Sequence, residues 1–220
     1  MYRAMQGKQD DPRWSKRCRD KTDLIISNAT GDVICDPLPA GRGGDMPTAA
    51  LTFQTIRQQY VDTGKLWEDN EFPADDSSLY VDPKNKPTTS PSAIEWKRPK
   101  VILHLKFNLY SKEIMPNPQF IMDGISRFDV KQTKGDNCWF LASIASLAMR
   151  TDLIEKIVPK DQGFSNNYCG VFRFNFWLEG KWREVMVDDR LPTANNRLVY
   201  VSCGNPSEFW AALLEKAYAK

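Results

Sequence analysis

Few residues in this chain could do covalent chemistry at neutral pH. There are five cysteines, Cys18, Cys35, Cys138, Cys169 and Cys203, and a single histidine, His104. The cysteines are widely spaced, with no C-x-x-C pair, so neither a disulfide framework nor a zinc site fits. Only Cys138 has a setting that favours reactivity. Asn137 before it is a good N-cap, Gly135 allows a sharp approach, and an apolar run follows. A side chain at a helix's first turn lies beside unpaired backbone N–H groups, whose positive potential favours thiolate over thiol, and only the thiolate attacks. On these residues alone, nucleophile and packed core thiol are equally good readings of Cys138. The other four cysteines lack such surroundings, and His104, among apolar neighbours, reads as structural.

The elements that must position Cys138 can be read from composition and period. Cys138 to Met149 is almost wholly apolar and rich in Ala and Leu, which predicts a central helix buried on all sides, too short to span a bilayer. Phe172, Phe174 and Phe176 alternate with Arg173 and Asn175. Glu179-Gly180 then makes a turn, and Trp182, Val185 and Val187 continue the pattern, so a hairpin is predicted. A turn at Leu191-Pro192 leads to a third strand over Arg197 to Ser202. Asn205-Pro206-Ser207-Glu208 is predicted to cap a final helix.

Upstream, residues 1–47 are rich in Gly, Pro, Asp and Arg and read as a flexible leader, with a short hairpin possible between Leu24–Ile26 and Val33–Cys35. Thr48 is expected to cap a docking helix with Phe53, Ile56 and Tyr60 on one face and Gly64 as its stop. Leu66 to Pro99 reads as irregular chain tacked down by Trp67, Phe72, Leu79 and Trp96; Val101 to Tyr110 fits a strand or short helix.

The whole chain has 220 residues, of which 41% are hydrophobic, 26% charged and 11% aromatic, the profile of a folded, water-soluble protein. Lys plus Arg number 30 against 28 for Asp plus Glu, too even a balance for a nucleic-acid binder. No apolar run reaches about 18 residues, and the N-terminus lacks a signal peptide's apolar block, so a cytoplasmic location is expected.

Gln132-Thr-Lys-Gly-Asp-Asn-Cys138-Trp-Phe-Leu-Ala-Ser-Ile-Ala-Ser-Leu147 resembles the active-site segment of calpains, calcium-dependent cysteine endopeptidases with a papain-like core. Leu66 to Leu79, Glu95 to Pro99, Phe120 to Arg127, Val187-Asp-Asp-Arg-Leu-Pro192 and Ser207 to Lys220 resemble further family motifs in the family's order. The similarity runs from about Thr48 to Lys220. It implies an α+β fold: a papain-like protease lobe with a buried nucleophile helix and a small antiparallel sheet behind a flexible leader. Residues 48–220 would be the docking helix and first lobe, with the second lobe absent.

The resemblance makes Cys138 the nucleophile. It gives Gln132 an oxyanion-hole amide alongside the Cys138 backbone N–H, a pairing that stabilises charge present only in the transition state. It also implies calcium bound by the backbone oxygens of Met122 and Gly124 and the carboxylates of Asp129 and Glu208, a hard oxygen set. Arg127 matches an arginine that pairs with an acid of the second lobe. Thr133 and Asp136 stand where calpains usually carry Gly, and a carboxylate at 136 would oppose thiolate formation. Papain-like enzymes draw their base, a histidine oriented by an asparagine, from beyond the cysteine. No histidine follows Cys138, so this chain by itself is expected to be inactive. The implied partners are protein substrates and the second lobe, with downstream regulatory domains or a small subunit left open.

Two other functions compete. Transglutaminases also start a buried helix with Cys-Trp, but carry Gln where Asn137 stands. A non-catalytic calpain-like scaffold would use Cys138 only for packing.

Overall fold

The computed structural model describes residues 52–80, 84, 93–107, 117–132 and 138–220, without the side chains of Phe107 and Gln132. The leader, its suggested hairpin, and Thr48 lie outside the described residues. Helix α1 spans Phe53–Thr63 and is capped by Thr52, four residues later than expected: the Thr52 hydroxyl accepts the Thr55 N–H at 3.3 Å. Gly64 ends it in the left-handed region at φ 63°, as the sequence suggests. Phe53 and Ile56 are buried against Cys169 and Val171, with Tyr60 half-buried beside them.

The supposedly irregular stretch holds a helical turn, α2 (Asp76–Leu79), capped by Asp75, and a strand, β1 (Glu95–Lys97). Phe72, Leu79, Tyr80 and Trp96 do pack together there. Helix α3 (Pro99–Phe107) opens on Pro99, whose missing N–H costs nothing at that position. It buries Ile102 and Leu103 and leaves His104 exposed.

Strand β2 (Val130–Gln132), helix α4 (Cys138–Leu147) and helix α5 (Thr151–Ile157) follow. Strands β3 (Val171–Leu178) and β4 (Lys181–Asp188) form the expected hairpin, paired from Val171 opposite Asp188 to Leu178 opposite Lys181. Its turn residues Glu179 and Gly180 both have positive φ, 54° and 78°, whose twist matches that of the strands. Trp177 and Trp182 face each other across it, ring centroids 5.5 Å apart at 70°.

Leu191-Pro192 is not a turn; it begins strand β5 (Leu191–Ala194), and Pro192 lies opposite Trp96 of β1. The reversal comes at Asn195-Asn196, with φ of 51° and 60°. The single strand expected over Arg197 to Ser202 is two, β6 (Arg197–Leu198) beside β5 and β7 (Val201–Cys203) beside β2. Among the described residues, the α+β architecture therefore carries three small antiparallel sheets, ordered β1-β5-β6, β2-β7 and β3-β4.

Helix α6 (Trp210–Ala219) starts beyond the predicted cap. Asn205 does accept the Ser207 N–H, at 2.9 Å, but this closes a separate turn, because Glu208 bridges to Gln119 instead of opening the helix. Every residue of α6 except Tyr218 is buried, and the main core forms around Trp210, Leu213, Leu214 and Ala217. This, not α4, is the helix buried all round. Helix α4 buries Phe140, Ile144 and Leu147 and exposes Cys138, Ala142 and Ser146. Those outward residues are small and need little cover, so the apolar composition of α4 does not require burial on every side.

Candidate active site and oxygen-lined loop

Cys138 is the first residue of α4 and is exposed, whereas Cys169 and Cys203 are buried. Burial raises the Cys169 thiol above its ordinary value and pushes the Cys203 thiol up still further. A reagent meeting this fold therefore finds one accessible thiol among the three described. Gln132 ends β2, its backbone opposite Val201 of β7, and β2 packs beside α4. The two elements are thus neighbours. The Gln132 side chain and residues 133–137, including Thr133, Asp136 and Asn137, lie outside the described residues.

The helix is held from below by aromatics. Trp139, half-buried, meets the Phe140 ring at 5.8 Å and the Tyr218 ring at 5.6 Å, both edge-on. Tyr218 also contacts Phe140 and Phe176, which ties α4 to α6 and to the hairpin.

A second cluster joins residues 122–129 to the turn before α6. The Met122 N–H donates to Glu208 Oε1 at 2.9 Å, the Ser126 N–H donates to Asp129 Oδ2 at 2.6 Å, and the Met122 carbonyl accepts the Gly124 N–H at 2.6 Å. Gly124 has φ 95°, a backbone state that suits glycine. Burial, and then the nearby Asp129 and Asp123 carboxylates, push the Glu208 carboxyl up against the opposing pull of the Met122 N–H. Asp123 was not picked out from the sequence. Among the described residues no group of three His, Cys, Asp or Glu side chains is placed as a ready metal cluster. Two carboxylates and two carbonyls are nevertheless oxygen ligands of the kind a hard cation takes. Arg127 is exposed, its guanidinium 4.6 Å from the exposed Phe128 ring.

The Val187-Asp-Asp-Arg-Leu-Pro192 segment turns out to hold the fold together. Asp188 and Asp189 are fully buried. Lys216 Nζ, inside α6, donates to Asp188 Oδ1 at 2.5 Å, to the Asp188 carbonyl at 3.1 Å and to the Arg190 carbonyl at 2.7 Å. Burial opposes the charge on Asp188, but Lys216 and Arg190 prevail and hold its carboxyl below the usual range. Asp189 pairs with Arg98 and Tyr168; for it burial wins, and its carboxyl is raised. A Cβ at Gly170, where φ is 80°, would stand 2.5 Å from the Arg98 guanidinium, so only glycine fits beside this pair.

The sequence model of the calpain family cysteine protease matches residues 67–220. Calpain-8 of Homo sapiens is 45% identical over 168 residues, 76% of this chain and 22% of its own length. Calpain clp-4 of Caenorhabditis elegans is 46% identical over 170 residues, 77% of this chain and 21% of its own. The calpain-2 catalytic subunit of Mus musculus is 44% identical over 168 residues, 76% and 22% respectively. The chain thus spans about a fifth of the length of the curated relatives it matches. No helix among the described residues is long and apolar enough to cross a membrane.

Proposed function

The chain belongs to the calpain family of cysteine proteases, and on that premise we propose that it carries the nucleophile-bearing lobe of a calcium-dependent, papain-like endopeptidase of cytosolic proteins. The observation that carries the proposal is the position of Cys138, exposed at the first turn of a helix whose opposite face is locked into the core. The sulfur attacks a substrate carbonyl and forms an acyl-enzyme, while the Gln132 amide and the Cys138 N–H receive the oxyanion. Each such donor contributes about 3 kcal/mol to transition-state stabilisation. A histidine and an asparagine from a second lobe of the full-length protein complete the site, so the 220 residues alone are inactive.

Calcium, held by the carbonyls of Met122 and Gly124 and by Asp129 and Glu208, would set positive charge beside the Glu208 carboxyl, which burial and the Asp129 and Asp123 carboxylates push up. The reading is supported by the Met122 N–H bond to Glu208, which ties the 205–208 turn to the 122–129 loop, and by the Ser126 N–H bond to Asp129 within that loop.

The test is alkylation at neutral pH, followed by mass spectrometry of each cysteine. Cys138 is expected to react faster than a small-molecule thiol, with Cys169 and Cys203 untouched. A Cys138 rate no higher than that of the free thiol points to a non-catalytic scaffold.

A further inference from the structure

The proposed calcium loop contains a thioether that the protease reading does not use. Asn205 Nδ2 donates to the Met122 sulfur at 3.0 Å, Met122 N–H donates to Glu208 Oε1 at 2.9 Å, and Glu208 N–H donates to the Asn205 carbonyl at 3.2 Å. The three bonds close a ring. Each residue of the ring is either a proposed calcium ligand or orients one, and the sulfur is its sole weak acceptor. Met122 is also open to solvent, 42% exposed, while Glu208 is only 5% exposed. Met122 is thus linked to Glu208 directly, through its own N–H, and indirectly through Asn205, whose side-chain amide meets the sulfur and whose carbonyl accepts the Glu208 N–H.

We propose that Met122 is an oxidation site through which peroxides lower the affinity of the 122–129 loop for calcium. The sulfur lone pair attacks one peroxide oxygen; the S–O bond forms as the O–O bond breaks. The displaced hydroxide takes the proton from the transferred oxygen and leaves as water. Sulfur is oxidised by two electrons and the peroxide is reduced by two. The product carries a strong, outward-set acceptor oxygen in place of a weak one. Asn205 must follow that oxygen or lose its partner. Either outcome moves the 205–208 turn, and with it the Glu208 carboxylate, off the Met122 N–H. Methionine sulfoxide reductases reverse the step, so the device can act as a switch rather than as damage.

The calcium part of this inference rests on the proposed metal reading, and the experiment separates the two. The 220-residue chain carrying Cys138→Ser is titrated with terbium, read by luminescence, before and after hydrogen peroxide, with sulfoxides mapped by mass spectrometry. Met149, 67% exposed and outside the ring, serves as the internal standard for oxidation. Oxidation is expected to weaken terbium binding about fivefold or more, an ordinary coupling between two sites. Reductase treatment restores it. Met122→Leu, a shape-conserving change that keeps the backbone carbonyl but leaves Asn205 without its sulfur partner, is expected to bind terbium more weakly than the reduced protein and to show no further change with peroxide. Hydrogen exchange at the Met122 and Glu208 amides is read in parallel and is expected to quicken on oxidation. Unchanged terbium affinity with Met122 fully oxidised overturns the proposal, as does a Met122 that stays reduced while Met149 converts. If the reduced protein takes up no terbium, the calcium reading fails. The exchange rates then decide alone whether the sulfur controls the Glu208 turn.

Discussion

Asp188 with Asp189, and Glu208 with Asp129, are both carboxylate pairs largely withdrawn from water, yet they meet opposite electrostatic fates. The first pair lies at the centre of the fold, and the protein supplies its own cations: Lys216 and Arg190 to one acid, Arg98 to the other. The second pair lies between a loop and a turn and accepts backbone N–H groups, and a third acid, Asp123, acts on Glu208. A buried charge without a partner is costly. A carboxylate cluster matched by internal cations reads as architecture, and one left unmatched reads as a seat for a cation from solution. Local sequence does not distinguish them, since both are acids near turns; the difference lies in what tertiary packing places opposite.

The contrast is broken most directly by Lys216→Met. Stripping a buried carboxylate of its principal partner is expected to cost about 3–5 kcal/mol in urea unfolding; a loss under about 1 kcal/mol would mean that Arg190 suffices for Asp188. Next in size is the response to acid. The Asp188 carboxyl is held below its unfolded value, so its contribution is present above the unfolded carboxylate range and is lost as pH falls through the folded value. Asp189, raised, has the opposite sign: its contribution is full below the unfolded range and is lost as pH rises through its folded value. The acid-side loss therefore belongs to Asp188 and should flatten in Lys216→Met when unfolding is followed from pH 6 downward. Asn205→Ala, which removes the side chain that closes the turn before α6, is expected to cost about 1 kcal/mol, as loss of a helix cap does. Glu208→Gln should be the gentlest, within about 0.5 kcal/mol. The amide can accept the same Met122 N–H and removes the repulsion, while terbium uptake at the loop is abolished. A large stability loss here would place Glu208 with the architectural acids.

Much of the frame was legible in the sequence. The β3-β4 hairpin followed from alternating Phe172, Phe174 and Phe176 and a Glu-Gly turn, and the stop of α1 at Gly64 from its backbone freedom. Cys138 stood out because Asn137 precedes it. What failed needed partners distant in sequence. Composition ranked α4 above α6 for burial, because Lys216 and Glu215 look like surface residues until Asp188, 28 residues away, and the Val201 N–H, 14 away, are seen to receive them. The cap before α6 was misread because Gln119 draws Glu208 into a bridge. Met122 gave no local sign of its sulfur contact, since Asn205 lies 83 residues further along.

The two indoles that meet edge-on across the β3-β4 hairpin give the molecule an optical signature of its own. Chromophores 5.5 Å apart and steeply inclined couple their excited states, so the pair should produce a split circular-dichroism band that vanishes when strand register slips. The tip of the hairpin can thus be watched spectroscopically without attaching any label.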